Sequence, residues 1–211
     1  EDGQMITTAQ GEDVKVSLTG GVFIQDASDD DAQVTAADIM ASNGVVHLVN
    51  KVLLPQDIAN SLRPNIVELA MDTDDLSSLV AALIQADAGL VDLLQTDGPF
   101  TVFAPTNQAF SDLLDALGDD YNSLADFDTA DEKMLLADIL KYHVVTSQAL
   151  STNLEDGQMI TTAQGEDVKV SLTGGVFIQD ARHNDAQVTA ADIMASNGVV
   201  HIINKILLPS E

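Results

Sequence analysis

The sequence predicts an α+β fold in which helices pack on or beside a largely antiparallel sheet. Between Asn65 and Tyr142, apolar residues recur at spacings of three and four, which is typical of helices with one buried face. After His143 the hydrophobic pattern changes to strict alternation, which is typical of strands. A run of helices followed by a run of strands favours the α+β class.

The first predicted helical segment covers residues 65–94. Asp74 and Asp75 are placed to cap a helix start, because carboxylate oxygens accept hydrogen bonds from free backbone N–H groups. The apolar residues expected on one face are Leu76, Leu79, Val80, Leu83 and Ile84. A short strand is expected at residues 101–103.

Two further helices follow that strand. Thr106 is expected to cap the second helix and Gly118 to end it, and the third begins with a capping box of Thr129 and Glu132. The second helix carries an apolar stripe of Phe110, Leu113, Leu114 and Leu117. The expected apolar face of the third is Met134, Leu135, Ile139 and Leu140.

The strands are predicted by alternation and by turn residues. Val168, Val170 and Leu172 alternate with polar residues, and Gly174-Gly175 predicts a turn into a strand at 176–178. A last turn at Asn197-Gly198 introduces a strand expected over 199–208.

An internal repeat organises the chain. Residues 1–55 align with residues 155–209, and 49 of the 55 positions are identical. The differing pairs are Ser28 and Arg182, Asp29 and His183, Asp30 and Asn184, Leu48 and Ile202, Val49 and Ile203, and Val52 and Ile206. Polar loop changes and volume-similar apolar changes are what two equivalently folded copies tolerate.

This repeat predicts the domain organisation. Residues 1–55 are expected to be the C-terminal third of a preceding repeat, and residues 56–211 a complete domain. The proline-punctuated segment 55–64 is the expected boundary. Since the two copies are nearly identical, either could complete the domain begun by residues 56–150, which suggests a swapped or filamentous assembly.

The composition excludes several function classes. A formal net charge of -26 disfavours nucleic acids and anionic membrane surfaces, because such a field repels phosphates. The acidic excess suggests a salt-rich or cation-rich setting, with solubility as the alternative. There is no cysteine, which excludes disulfides and thiolate chemistry. No leader or membrane-spanning stretch is recognisable, so any export signal or anchor is expected outside this sequence.

Three motifs resemble the hallmarks of the fasciclin domain family. Residues 98–110 read Gly-Pro-Phe-Thr-Val-Phe-Ala-Pro-Thr-Asn-Gln-Ala-Phe, and residues 142–145 read Tyr-His-Val-Val. Residues 197–209 read Asn-Gly-Val-Val-His-Ile-Ile-Asn-Lys-Ile-Leu-Leu-Pro, and residues 43–55 repeat this third motif. One departure is Asn50 and Asn204, where relatives often carry an acidic residue.

The resemblance implies a fasciclin-like wedge of β-sandwich with packed helices. It also implies a tandem, non-enzymatic module of secreted or surface proteins. Motif residues expected to define the fold are Thr101, Phe103, Pro105, Thr106 and Phe110. Candidate interaction residues are Tyr142, His143, Asn197, Gly198 and His201, because Tyr-His and its neighbours are associated with receptor engagement in animal relatives. The alternative is that His143 is a hydrogen-bonded interior residue.

The sequence predicts no catalytic residue, no cofactor and no metal site. It lacks a Gly-x-Ser-x-Gly elbow and a phosphate-binding glycine loop. His47 and His201 have no second histidine at ligand spacing. Aspartate clusters at 29–31, 72–75 and 119–120 lack the order of an EF-hand loop, so a solvated acidic surface is the preferred interpretation over calcium binding.

These observations predict an extracellular or cell-surface structural module of a prokaryotic tandem-repeat protein. Its expected role is weak, multivalent adhesion to cells, to matrix or to other copies of itself, with self-assembly into a filament. Expected partners are therefore cell-surface or matrix ligands and the chain itself, with no nucleic acid and no direct membrane insertion. The alternative is a secreted small-ligand or calcium-binding domain with a cleft between helices and sheet.

Overall fold

A computed structural model describes residues 1–28 and 30–210 of the chain. The chain divides into two compact units, Glu1–Arg63 and Pro64–Glu211, called unit 1 and unit 2 below.

Unit 1 is a five-stranded antiparallel sheet followed by one helix. The strands are β1 (Met5–Thr7), β2 (Asp13–Ser17), β3 (Phe23–Gln25), β4 (Ala32–Ala41) and β5 (Gly44–Val49), and the helix is α1 (Gln56–Leu62). The strands lie side by side in chain order, so β5 is an edge strand of this sheet.

Unit 2 begins with helices and ends with strands. The helices are α2 (Ile66–Asp72), α3 (Ser77–Ala86), α4 (Leu90–Leu94), α5 (Asn107–Leu117) and α6 (Ala130–Tyr142). The strands are β6 (Phe100–Pro105), β7 (Val144–Val145), β8 (Met159–Thr161), β9 (Asp167–Ser171), β10 (Phe177–Gln179), β11 (Asp185–Ala195) and β12 (Gly198–Ile203). This is the α+β arrangement that the sequence predicts.

The seven strands of unit 2 form one sheet in the order β7-β6-β12-β11-β10-β9-β8. The pair β6–β12 is parallel, with Gly198 opposite Phe100 and Ile203 opposite Pro105. The other neighbours are antiparallel. The parallel pair joins the N-terminal helical part of the unit, residues 64–154, to the C-terminal repeat.

Two apolar clusters lie in unit 2, and neighbouring residues of β6 contribute to different clusters. Val102 belongs to the cluster formed with the helices, which includes Leu83 and Leu136. Phe103 belongs to the second cluster, together with Tyr142. This division follows from strand geometry, because successive side chains point to opposite faces.

The first predicted helical segment is interrupted, which corrects the sequence-based expectation. The helix α2 begins at Asn65, whose side chain accepts from the Glu68 N–H while the Glu68 carboxylate accepts from the Asn65 N–H. Asp74 and Asp75 lie in a 3₁₀ turn at Asp74–Leu76, ahead of α3. A left-handed Asp87 then ends α3. The first helix therefore begins at the capping box of Asn65 and Glu68, and not at Asp74 and Asp75.

The caps of the later helices are confirmed, whereas the predicted buried face of α6 is confirmed for Ile139 and Leu140 but wrong for Met134 and Leu135. Thr106 accepts from the Ala109 N–H, and Thr129 and Glu132 form the capping box. Met134 and Leu135 are exposed, and α6 buries Leu136 and Ala137 in their place. Leu117 and Leu172 are also partly exposed, at 44% and 38%. Apolar residues at the ends of a helical stripe or strand often remain in contact with water.

Candidate functional site

The five candidate interaction residues lie at two places in unit 2, and all are buried. Tyr142 and His143 lie at the C-terminal end of α6, whereas Asn197 and Gly198 form the β11–β12 turn and His201 lies within β12. Direct contact between a partner and these side chains would require the unit to open. Their role as an interaction motif therefore stays a prediction.

Tyr142 joins α6 to the C-terminal repeat. Its side chain is fully buried, and its hydroxyl donates to the backbone oxygen of Asp167 at 2.8 Å. Burial raises the pKa of Tyr142 to about 12, because the phenolate form would lose its hydration. The residue is therefore a neutral hydrogen-bond donor across the physiological pH range.

His143 uses both ring nitrogens to connect two segments. Its Nδ1 atom donates to the backbone oxygen of Ile139 at 2.8 Å, and its Nε2 atom accepts from the Leu207 N–H at 2.9 Å. The Leu207 contact requires an unprotonated Nε2, which fixes the neutral tautomer. Burial lowers the pKa of His143 to about 4 because it disfavours the charged imidazolium.

Asn197 holds the β11–β12 turn against the helical part of unit 2. Its Oδ1 atom accepts from the N–H of Ile66 at 3.0 Å. Its Nδ2 group donates to the backbone oxygens of Leu94 at 2.7 Å and Thr96 at 2.8 Å. One side chain therefore satisfies backbone groups at the start of α2 and at the end of α4.

Gly198 permits close approach of two backbones. A Cβ atom at this position would lie 2.2 Å from the backbone oxygen of Phe100, the parallel partner of Gly198. Gly98 is equally constrained, since a Cβ atom there would lie 2.1 Å from the backbone oxygen of Asn197. Glycine is therefore required by packing where β12 begins.

His201 also has both ring nitrogens engaged with backbone. Its Nδ1 atom accepts from the Asp192 N–H at 3.2 Å, and its Nε2 atom donates to the Ala149 oxygen at 2.8 Å. Phe103 stacks on the ring with centroids 5.8 Å apart. Asp192 in turn accepts hydrogen bonds from the backbone and side chain of Ser151. This Ser-Asp-His grouping lacks a free imidazole nitrogen that could act as a base.

The fold-defining residues predicted from the first motif lie on β6 and at the start of α5. Thr101 is fully buried, and its hydroxyl donates to the Ser147 oxygen at 2.6 Å while accepting from the Ala149 N–H at 2.8 Å. Phe103, Pro105 and Phe110 are buried in the interior, and Thr106 caps the start of α5.

Asp180 is a structural residue that the sequence reasoning missed. It is almost fully buried, and its carboxylate accepts from the N–H groups of Arg182, Asn184 and Leu208 at 2.8–3.1 Å. These bonds tie the β10–β11 loop to the C-terminal segment. The available signal was an aspartate kept in both copies, as Asp26 and Asp180, beside a loop in which three residues differ.

The aspartate clusters form no recognisable metal centre in the part of the chain that the structure describes. Within residues 1–28 and 30–210, no group of three or more His, Asp or Glu side chains could hold a metal ion. Asp29, part of one predicted cluster, lies outside the described residues.

An apolar cleft of about 130 Å³ lies between the helices and β6 of unit 2. Its lining includes Val67 on α2, Leu83 on α3, Val102 on β6 and Leu140 on α6. Met71 and Ile84 also line it and are both 67% exposed, which places apolar side chains in contact with water beside the cleft. The cleft is suited to a small apolar group.

Comparison with known proteins identifies the family. A family model described as the Fasciclin domain matches residues 1–55 and 74–209, and the chain therefore belongs to the fasciclin domain family. The chain is similar to "Protein sll1483" of the cyanobacterium Synechocystis, with 39% identity over 144 residues that cover 68% of this chain and 73% of that protein.

Other relatives are longer or more distant. Human periostin is 29% identical over 178 residues, which cover 84% of this chain but 19% of periostin. The cell surface glycolipoprotein MPB83 of Mycobacterium bovis is 29% identical over 177 residues, which cover 82% of this chain and 74% of that protein.

A solved structure shows the same fold. It is a domain pair from the insect cell adhesion molecule fasciclin I, with a TM-score of 0.59 and 17% identity, covering 97% of this chain and 66% of that one. In the described residues, no helix combines the length and the apolar character needed to cross a membrane.

Replacing Asn197 by Ala is expected to destabilise unit 2 by about 3 kcal/mol, because backbone groups at three positions lose a buried partner. The equivalent residue of the first copy, Asn43, is exposed, so Asn43→Ala is the matched control and should change stability by less than about 0.5 kcal/mol. Urea unfolding followed by the helical circular dichroism signal measures both. Equal effects of the two substitutions would refute the assigned role of Asn197.

The buried neutral His143 predicts a loss of stability in mild acid. Its pKa of about 4 in the folded state lies below the ordinary value of 6.5, so the unfolded state binds more protons between these values. Stability should therefore fall as pH decreases from about 6.5 towards 4, by about 2 kcal/mol between pH 7 and pH 5.

The matched variant is His143→Gln, which cannot titrate but retains an acceptor for the Leu207 N–H. Its stability is expected to be lower at neutral pH and to depend less on pH between 7 and 5 than that of the unmodified chain. Urea midpoints measured across this range give the comparison. An unchanged pH dependence in the variant would show that His143 is not the responsible group.

Proposed function

We propose that this chain is a non-enzymatic, extracellular or cell-surface adhesion module of a tandem-repeat protein. Its units provide weak binding sites for cells, matrix or further copies of the chain, and repetition makes the binding multivalent. The single observation that carries the proposal is the duplication of 55 residues with 49 identities inside a chain of the fasciclin domain family.

The named relatives support the adhesive role and the location. One is a cell surface glycolipoprotein, and the structural neighbour belongs to a cell adhesion molecule. A strongly acidic chain is soluble at high concentration and repels anionic surfaces, which favours specific protein or carbohydrate contacts over membrane binding. The proposed locations are therefore the exterior of the cell and its surface.

The state of the histidines supports a role without catalysis. His143 and His201 are buried, and all four of their ring nitrogens contact backbone groups. A general base needs a free nitrogen within reach of a substrate proton. Binding rather than chemistry is therefore the proposed activity.

Multivalency predicts how binding changes with the number of units. A chain carrying four linked copies of residues 1–211 should bind immobilised matrix glycoproteins or whole bacterial cells about 100-fold more tightly than one copy, because later contacts form at high effective concentration. Surface plasmon resonance measures binding of the single and the linked chain to the glycoproteins, and cell-retention assays measure their binding to cells. A linked acidic protein of equal net charge and valency is the control.

Equal binding by the single and linked chains would contradict the multivalent role. Equal binding by the acidic control would attribute the signal to charge alone, which also contradicts the proposal.

A second candidate function, binding of a small ligand, is favoured by the apolar cleft of unit 2. Its volume of about 130 Å³ would accept a molecule about the size of benzene. Addition of benzene should shift the methyl resonances of Val67, Leu83 and Val102 in a saturable way, and Leu83→Phe should abolish the shifts by filling the cleft. The exposed Leu172→Phe is the control, and linear, non-saturable shifts would remove this candidate.

A further inference from the structure

The apolar cleft of unit 2 lies among helices whose exposed charges are all negative. Residues 64–100, which contain α2, α3 and α4, include seven acidic residues and no lysine or arginine. All seven acidic side chains are exposed, and none of them lines the cleft. Asp87 ends α3 and follows the lining residues Leu83 and Ile84 by four and three positions, so it lies beside the cleft. An uncharged cleft is thus set in an acidic surface.

The fourth helix at the cleft, α6, does not reverse this charge. It carries Lys133 and Lys141, and neither lines the cleft. Asp131, Glu132 and Asp138 on the same helix outnumber them. The helices around the cleft therefore attract positive charge.

Two polar side chains contribute to the lining, and they differ in their availability to a ligand. His143 has both ring nitrogens bonded to backbone groups of Ile139 and Leu207. Gln95, at the end of α4, is exposed, and its side chain makes no hydrogen bond to another residue that the structure describes. Its amide oxygen is available to accept from an N–H group.

The apolar surface extends from the interior of the cleft to the outside. The volume of about 130 Å³ accommodates one aromatic ring or one branched aliphatic side chain. Met71 and Ile84, each 67% exposed, continue the apolar lining into contact with water. One anchoring side chain in a pocket, flanked by weaker contacts, is an arrangement that protein interfaces use.

We propose that this cleft is where unit 2 binds its adhesion partner, and that the partner is a basic polypeptide segment presenting one aromatic or branched aliphatic side chain. That side chain enters the cleft, and its neighbours contact Met71 and Ile84. Flanking lysine or arginine residues face the acidic helices, and an N–H group of the segment donates to Gln95. The inference rests on the adhesive function proposed above and names the chemistry of the partner.

Charge also distinguishes among the partners that adhesion allows. A further copy of the chain carries the same net charge of -26, so it is repelled from the acidic surface around the cleft. Opposite charges at an interface raise the rate of association and disfavour wrong partners. The cleft is therefore a site for a different, basic protein and not for self-association.

Three end-blocked peptides test the proposal on the unmodified chain. Lys-Lys-Phe-Lys-Lys has the anchor and the basic charge, Glu-Glu-Phe-Glu-Glu keeps the anchor, and Lys-Lys-Ser-Lys-Lys keeps the charge. The first should shift the methyl resonances of Val67, Leu83 and Val102 saturably and bind at least about tenfold more tightly than the second. The third should leave these resonances unchanged. Raising the salt concentration from about 0.05 M to about 0.5 M should weaken binding of the first peptide about fivefold, because salt screens the attraction.

Two methionines provide a matched pair of variants. Met71 and Met134 are 67% and 63% exposed, and Met71 lines the cleft whereas Met134 does not. Met71→Ser should weaken binding of Lys-Lys-Phe-Lys-Lys about fivefold through lost apolar contact. Met134→Ser should leave this binding unchanged. Both side chains are largely exposed, so both variants should fold.

Equal binding of the basic and acidic anchored peptides would overturn the proposal, and so would equal effects of the two methionine substitutions. Shifts caused by Lys-Lys-Ser-Lys-Lys would also overturn it, because charge alone would then explain the signal. If benzene occupies the cleft but the basic anchored peptide does not, this inference fails and the small-ligand candidate stands. If adhesion of the linked chain is unchanged by Met71→Ser, this inference fails and the adhesive function stands.

Discussion

The parallel pairing of β6 with β12 is the interaction on which the rest of unit 2 depends. It connects the helical residues 64–154 to the C-terminal repeat, which carries five of the seven strands of the sheet, β8 to β12. The apolar faces of both parts are buried through this connection. Burial of apolar area is the main driving force of folding, so each part provides the cover that the other needs.

Polar residues at this connection determine how the two parts are aligned. Asn197 satisfies backbone groups of α2 and α4, and His143 accepts from the N–H of Leu207. A shift of one residue in the parallel register would leave these groups buried without partners, at a cost of about 1–3 kcal/mol each. Motif residues that suggest recognition of an external partner are thus engaged in recognition between two parts of the same fold.

Much of this fold follows from the sequence, and the failures have physical causes. Thr106, Thr129 and Glu132 predict their caps because capping is a local interaction of adjacent residues. Local patterns do not reveal that Met134 faces water or that Asp180 is buried, because both outcomes depend on distant segments. The duplicated segment shows this limit most directly, since almost the same residues are exposed in unit 1 and buried in unit 2.

The central claim is that the duplicated strands become a stable interior only where a helical part completes them. Hydrogen exchange of the unmodified chain tests it, because peptides covering residues 44–54 and 198–208 differ in mass and can be followed in one experiment. The account predicts that amides of residues 44–54 exchange at least about 100-fold faster than those of residues 198–208. Equal protection of the two segments would contradict it.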